Sequence, residues 1–75
     1  MARRYRLGLP ERFAHALHDN GNEILVVSTP FDEILHTEAR LYRDRHPDCV
    51  VVISNQQGRV TYRYNANGSE DYLGV

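Results

Sequence analysis

Residues 29–64 read TPFDEILHTEARLYRDRHPDCVVVISNQQGRVTYRY, and this stretch sets the fold class. Thr29 is a good helix N-cap, and Pro30 suits the first helical position because its missing N–H has no intrahelical partner to lose. Asp32 stands three residues after the cap, and with Glu33 it complements the positive start of a helix dipole. Arg43, Arg45 and His46 suit the negative end, and Pro47 stops the helix. The spacing therefore predicts a helix over Thr29–His46, with Phe31, Ile34, Leu35, Ala39, Leu41 and Tyr42 on its apolar face. Glu38 falls near the middle of that face. An unpaired carboxylate is costly there, so it is expected to pair with an Arg or Tyr or to escape at the edge.

The run Cys49–Ser54 is apolar throughout, as a central strand would be. Asn55-Gln56-Gln57-Gly58 follows as a hairpin loop. In Arg59–Tyr64 the residues alternate: Val60, Tyr62 and Tyr64 face one side, Arg59, Thr61 and Arg63 the other. As the last predicted strand, it is also an expected sheet edge.

Upstream, Glu23–Ser28 reads as a strand, and Asn20-Gly21 as a hairpin turn that makes Arg12–His18 its partner. The alternative is a helix from Pro10 to Gly21, which Leu9, Phe13, Ala16 and Leu17 fit and which Ala14 and Ala16 favour by propensity. The reading taken is α+β, a single helix packed on a small antiparallel sheet of three or four strands in the order ββαββ, with αβαββ as the alternative. The expected core is Phe31, Ile34, Leu35, Tyr42, Val50, Val52 and Val60, with Leu25 or Val26. Residues 1–64 form one domain with a basic N-terminal arm over residues 1–8, and residues 65–75 are a flexible polar tail.

Seventy-five residues bury only about 60% of their unfolded surface, which leaves little stability to hold strained catalytic geometry. Cys49 is the single cysteine, so no internal disulfide forms and a reducing cytosol is expected. No apolar run reaches the ~18 residues of a membrane span, and the N-terminus lacks the apolar stretch of a signal peptide. The chain is read as cytoplasmic and monomeric. Net charge is −1, yet all nine basic residues are arginines, a bias that suits a GC-rich bacterial genome or a virus infecting such a host. Arg3, Arg4 and Arg6 surround Tyr5 in a basic head, while Glu70 and Asp71 lie near the other end.

Four chemistries are open to these residues. His15-x-x-His18 and His46-x-x-Cys49 have zinc-ligand spacing, but two histidines three apart on a strand point to opposite faces, and zinc modules use more thiolates. Cys49 with His46 could be drawn as a nucleophilic dyad, but no Gly-rich turn supplies an oxyanion hole. Neither a metal, a cofactor nor an enzymatic activity is expected. A nucleic-acid surface could combine the Arg3–Arg6 arm with Arg59 and Arg63, against a chain whose acids outnumber its bases. Protein recognition fits best, because Arg and Tyr are the residues that dominate interface hot spots. Its candidate residues are Arg3, Arg4, Tyr5, Arg6, Arg59 and Arg63.

The short length, Arg-rich composition, helix-then-hairpin order and the turns at Asp19–Gly21 and Asn55–Gly58 resemble the small phage-encoded inhibitors of host bacterial RNA polymerase. Small anti-CRISPR proteins are similar in layout. The likeness lies in size and layout, so no residue's role is carried over. It implies inhibition of transcription initiation by occlusion or sigma-factor displacement, with the polymerase as partner and direct nucleic-acid contact as the alternative.

Overall fold

The computed structural model describes residues 10–74. Five strands and one helix follow in the order β1 (Arg12–His18), β2 (Glu23–Thr29), α1 (Asp32–Arg45), β3 (Cys49–Ser54), β4 (Val60–Tyr64) and β5 (Glu70–Tyr72). The strands form one antiparallel sheet ordered β2-β1-β3-β4-β5. This is the α+β class with a single helix, extended by a fifth strand. Arg12–His18 is a strand, which removes the αβαββ alternative. β2 and β3 flank β1, and α1 carries the chain from one to the other across a single face of the sheet.

All three hairpins close with the same turn. Gly21 N–H donates to His18 O, Gly58 N–H to Asn55 O and Gly68 N–H to Asn65 O. The first two residues of each loop make a turn, and the glycine that follows takes the left-handed conformation (φ 91° at Gly21) that closes a three-residue loop. Asn65-Ala66-Asn67-Gly68-Ser69 repeats this turn, so Glu70–Tyr72 folds back onto β4 as β5. Glu70–Tyr72, which the sequence reading placed in a tail, are thus part of the sheet, and β4 is an interior strand whose outer side pairs with β5.

The helix begins later than its sequence suggests. Thr29 ends β2, and its hydroxyl accepts the Phe31 N–H at 3.2 Å, so the cap acts on the connection and α1 starts at Asp32. At the other end His46 N–H closes onto Tyr42 O and Arg43 O before Pro47.

The core lies between α1 and the covered sheet face. It consists of Ala14 and Ala16 on β1, Leu35 and Ala39 on α1, Cys49, Val51 and Ile53 on β3, and Tyr64 on β4. Complete burial of one Leu or Ile is worth about 1.5–3 kcal/mol. Ala14 and Ala16 are small because the helix passes over them; a larger side chain would lift it. Val26, Val27, Tyr42 and Tyr62 pack around this centre.

Half the expected core is therefore displaced. Leu35 is buried and Tyr42 and Val26 are partly so, but Phe31 and Ile34 are exposed at 51% and 46%, as are Leu41 and Leu25. Val50 and Val52 point to the opposite face from Val51. Val60 joins them, because the β3–β4 register shifts between Ile53 and Ser54. That bulge separates Val60 from Tyr62 and Tyr64, with which simple alternation had grouped it. No helix among the described residues is long and apolar enough to cross a membrane.

Candidate protein interface

One helix covers one face of a five-stranded sheet, and among the described residues nothing covers the other, bare face. Its middle is apolar: Leu17 from β1, Val50 and Val52 from β3, Val60 from β4 and Leu73 beyond β5 line a depression of about 440 Å³ together with Arg63. Leu17 and Leu73 are 40% and 43% exposed. Leu73 is held there because its N–H donates to Thr61 O at 2.9 Å, continuing the β5 ladder past its last assigned residue. Toward β2 the face carries Leu25, opposite His15 in the register, beside a polar pair in which His15 Nδ1 lies 3.3 Å from a Glu23 carboxylate oxygen.

Arg63 borders the depression. It stands opposite Val52 on one side and Asp71 on the other, and its Nε is buried without a hydrogen-bond partner among the described residues. Asp71 accepts instead from the Asn65 side-chain amide. Arg59 does not share this surface. It lies in the loop before β4, with its guanidinium against Gly74. Arg59, Thr61 and Arg63 thus form no common stripe, although alternation predicted one. Arg3, Arg4, Tyr5 and Arg6 lie outside the described residues.

A polar cluster sits on the helix side. The Tyr64 hydroxyl is 2.5 Å from His36 Nδ1, and Arg40 Nη1 donates to the same oxygen at 3.4 Å. The Arg43 guanidinium lies over the Tyr64 ring, 5.3 Å from its centroid. Next to it Tyr62 O–H donates to Glu70 at 2.6 Å, and Arg12 pairs with Asp32 at the helix start. Burial lowers the His36 pKa and raises that of Tyr64, while the hydrogen bond to Glu70 and burial push Tyr62 up to about 12. A cavity of about 370 Å³ opens beside these groups, between Arg12, His36, Tyr62 and Tyr72. Within the cluster Arg12 is paired with Asp32 and Glu70 accepts from Tyr62, while Arg43 Nη1 is buried without a hydrogen-bond partner among the described residues. Nothing in sequence spacing announced the His36–Tyr64 contact, which joins residues 28 apart.

Of the residues considered for metal and nucleophile chemistry, only His15 stands apart: His18 lies opposite Cys49 in the register, with its ring centroid 5.5 Å from that of His46. His15 faces the bare side of β1, whereas His18 turns toward the helix, where its Nε2 lies 2.9 Å from the Tyr42 hydroxyl. His46 stacks on the Tyr42 ring, with centroids 4.3 Å apart. Among the described residues no three His, Cys, Asp or Glu side chains gather as a metal site would require. Cys49 is buried, and that burial, with Asp48 beside it, raises the pKa of its thiol. A thiol so placed is a poor nucleophile.

No family model, curated protein or solved structure matches the chain.

Proposed function

We propose that this protein is a stoichiometric, non-enzymatic binder that docks through the bare face of its sheet. The observation that carries the reading is the apolar floor of Leu17, Val50, Val52, Val60 and Leu73 on a domain whose core lies entirely on the other side. Apolar surface of this kind, rimmed by polar groups, is the usual mark of a protein contact. Arg63 at its border supplies a cation without an ion-pair partner among the described residues, so the complementary surface is apolar at its centre with an acidic group at its edge.

The partner in this reading is bacterial RNA polymerase, met in the bacterial cytoplasm, and the effect is a block of initiation by occlusion or sigma displacement. Support for that partner comes from the likeness in size and layout to phage-encoded polymerase inhibitors. Arg3, Arg4, Tyr5 and Arg6 form a further polar anchor for the complex.

The test uses purified polymerase, with and without sigma factor, and measures both binding and promoter-dependent transcription. Wild-type protein should bind and inhibit at equimolar amounts. Val52→Asp, checked for an unchanged circular dichroism spectrum, should lose both, and alanine at Arg3, Arg4, Tyr5 and Arg6 should weaken binding. Absence of binding to either form of the enzyme sinks the partner. Undiminished binding by Val52→Asp sinks the face, and a steep loss of affinity with salt would point to nucleic acid instead.

A further inference from the structure

Ile24, Phe31, Ile34 and Leu41 are large apolar side chains between 42% and 51% exposed, and all lie along one border of the molecule. Ile24 stands opposite Ala16 in the sheet register and so faces the helix side of β2. On α1, His36, Arg40 and Arg43 turn toward β4, where they meet Tyr64. The stripe Phe31, Ile34, Glu38, Leu41, Arg45 recurs at intervals of three and four, and so projects away from them, over the edge strand β2. Among the described residues β2 pairs only with β1, through a ladder bulged at Val26, and along its seven residues it carries neither the Lys nor the Pro that commonly guards an open edge.

We propose that this border is a two-fold interface between two copies of the chain, in which β2 pairs antiparallel with the second β2 and the two α1 helices lie side by side above them. The choice of a second copy rests on charge. Glu38 and Arg45 flank Leu41 in the stripe, and neither has an ion-pair or hydrogen-bond partner among the described residues. A two-fold axis that joins the β2 edges also runs the helices antiparallel on one face. With Leu41 near that axis, Glu38 of each copy faces Arg45 of the other. Leu41 then meets Leu41 across the axis with the charges beside it matched, which a foreign strand pairing with β2 would not provide. A parallel arrangement would set Glu38 against Glu38.

The spacing agrees. α1 packs over β1 and its neighbours, so the two helices lie roughly three strand spacings apart, about 14 Å. Direct helix packing needs about 8–10 Å, and paired Leu41 side chains above Ile24 are of a size to fill the difference. The proposed dimer departs from the monomer expected from the sequence. It leaves Val50 and Val52 free on the far side, so it stands apart from the proposed docking face.

Sedimentation equilibrium between about 1 µM and 1 mM tests the interface, a range that brackets weak to moderate self-association. Wild-type protein should weigh twice the 8.7 kDa chain mass at the upper end. Leu41→Glu should raise the dissociation constant at least about tenfold, as loss of a central apolar anchor does. Leu41→Ala serves if that variant misfolds. Glu38→Arg should weaken the dimer, and adding Arg45→Glu should restore it. A wild-type chain that stays at 8.7 kDa throughout the range overturns the proposal. So does a dimer indifferent to Leu41→Glu, or one lost in Val52→Asp alone, which would put the second copy on the bare sheet face.

Discussion

Tyr64 and His36 meet at 2.5 Å, phenol oxygen to Nδ1, and this contact ties the centre of α1 to β4. Arg40 donates to the same phenol oxygen, and His36 can accept the phenol proton while its Nδ1 is unprotonated. The tyrosine ring below is 1% exposed and belongs to the core. A polar bond thus caps the apolar centre.

Acid should weaken the fold through the His36 imidazole. Burial depresses the His36 pKa below its ordinary 6.5, so on acidification the unfolded chain takes up its proton first. Stability at this residue is complete above 6.5 and falls as the pH drops from there toward the lower folded value, levelling off beneath it. Urea denaturation at a series of pH values from neutral to mildly acid should show the decline. His36→Asn, which offers an amide oxygen near the Nδ1 position, should flatten it. An equal slope in the variant would assign the effect to the other histidines.

Alkali should act through the neighbouring tyrosine. The Glu70 hydrogen bond, with burial second, pushes Tyr62 up to about 12 from its ordinary 10. The folded pKa is the higher one, so the stabilisation is whole below 10 and is lost as the pH rises toward 12. Ultraviolet titration of tyrosinate should show Tyr62 ionising late in the wild type and earlier in Glu70→Gln, where the carboxylate charge is gone. Coincident titration curves would mean that the bond to Glu70 does not persist in solution.

The two valines at positions 51 and 52 separate stability from binding. Val51 is fully buried under α1, while Val52 lines the bare face. A charge at position 51 would be desolvated without a partner, at a cost of several kcal/mol against a total of about 5–15 kcal/mol. Val51→Asp should therefore be unfolded by circular dichroism. Val52→Asp should keep a cooperative melt, because its carboxylate reaches water. A reversed outcome would place the helix on the other face of the sheet.

These valines also show where sequence reading succeeds and stops. The run Cys49–Ser54 identifies a strand, but apolar residues on both of its faces hide which one the helix covers. The signal was present in Ala14 and Ala16, whose small size marks the line of close helix approach. Read by propensity alone, they argued for a helix instead. Alternation in Arg59–Tyr64 placed Tyr62 and Tyr64 correctly and failed at Val60, because the bulge at Ile53/Ser54 arises from pairing and not from local pattern. Of the proposed interface, Arg63 was legible. The apolar floor became visible only once the face of β3 was known, and Ile34 and Leu41 read as core because helical spacing cannot tell a covered flank from an open one.

The third hairpin was legible in principle, since Asn65-Ala66-Asn67-Gly68 has glycine where Asp19–Gly21 and Asn55–Gly58 have theirs. Its dependence on that glycine can be measured. Gly68 holds φ 95° with open space where a Cβ would lie, so substitution there introduces backbone strain and no clash. Gly68→Ala should cost about 1 kcal/mol, and Gly68→Asn less, because asparagine visits the left-handed region more readily. The loss should fall on β5 first, as faster amide hydrogen exchange at Leu73, whose N–H is bonded to Thr61 O. The amides of β1 and β3 should follow only as far as global stability drops. If residues 70–73 instead exchanged at unprotected rates in the wild type, β5 would be frayed in solution, and the Leu73 border of the proposed docking face would be lost with it.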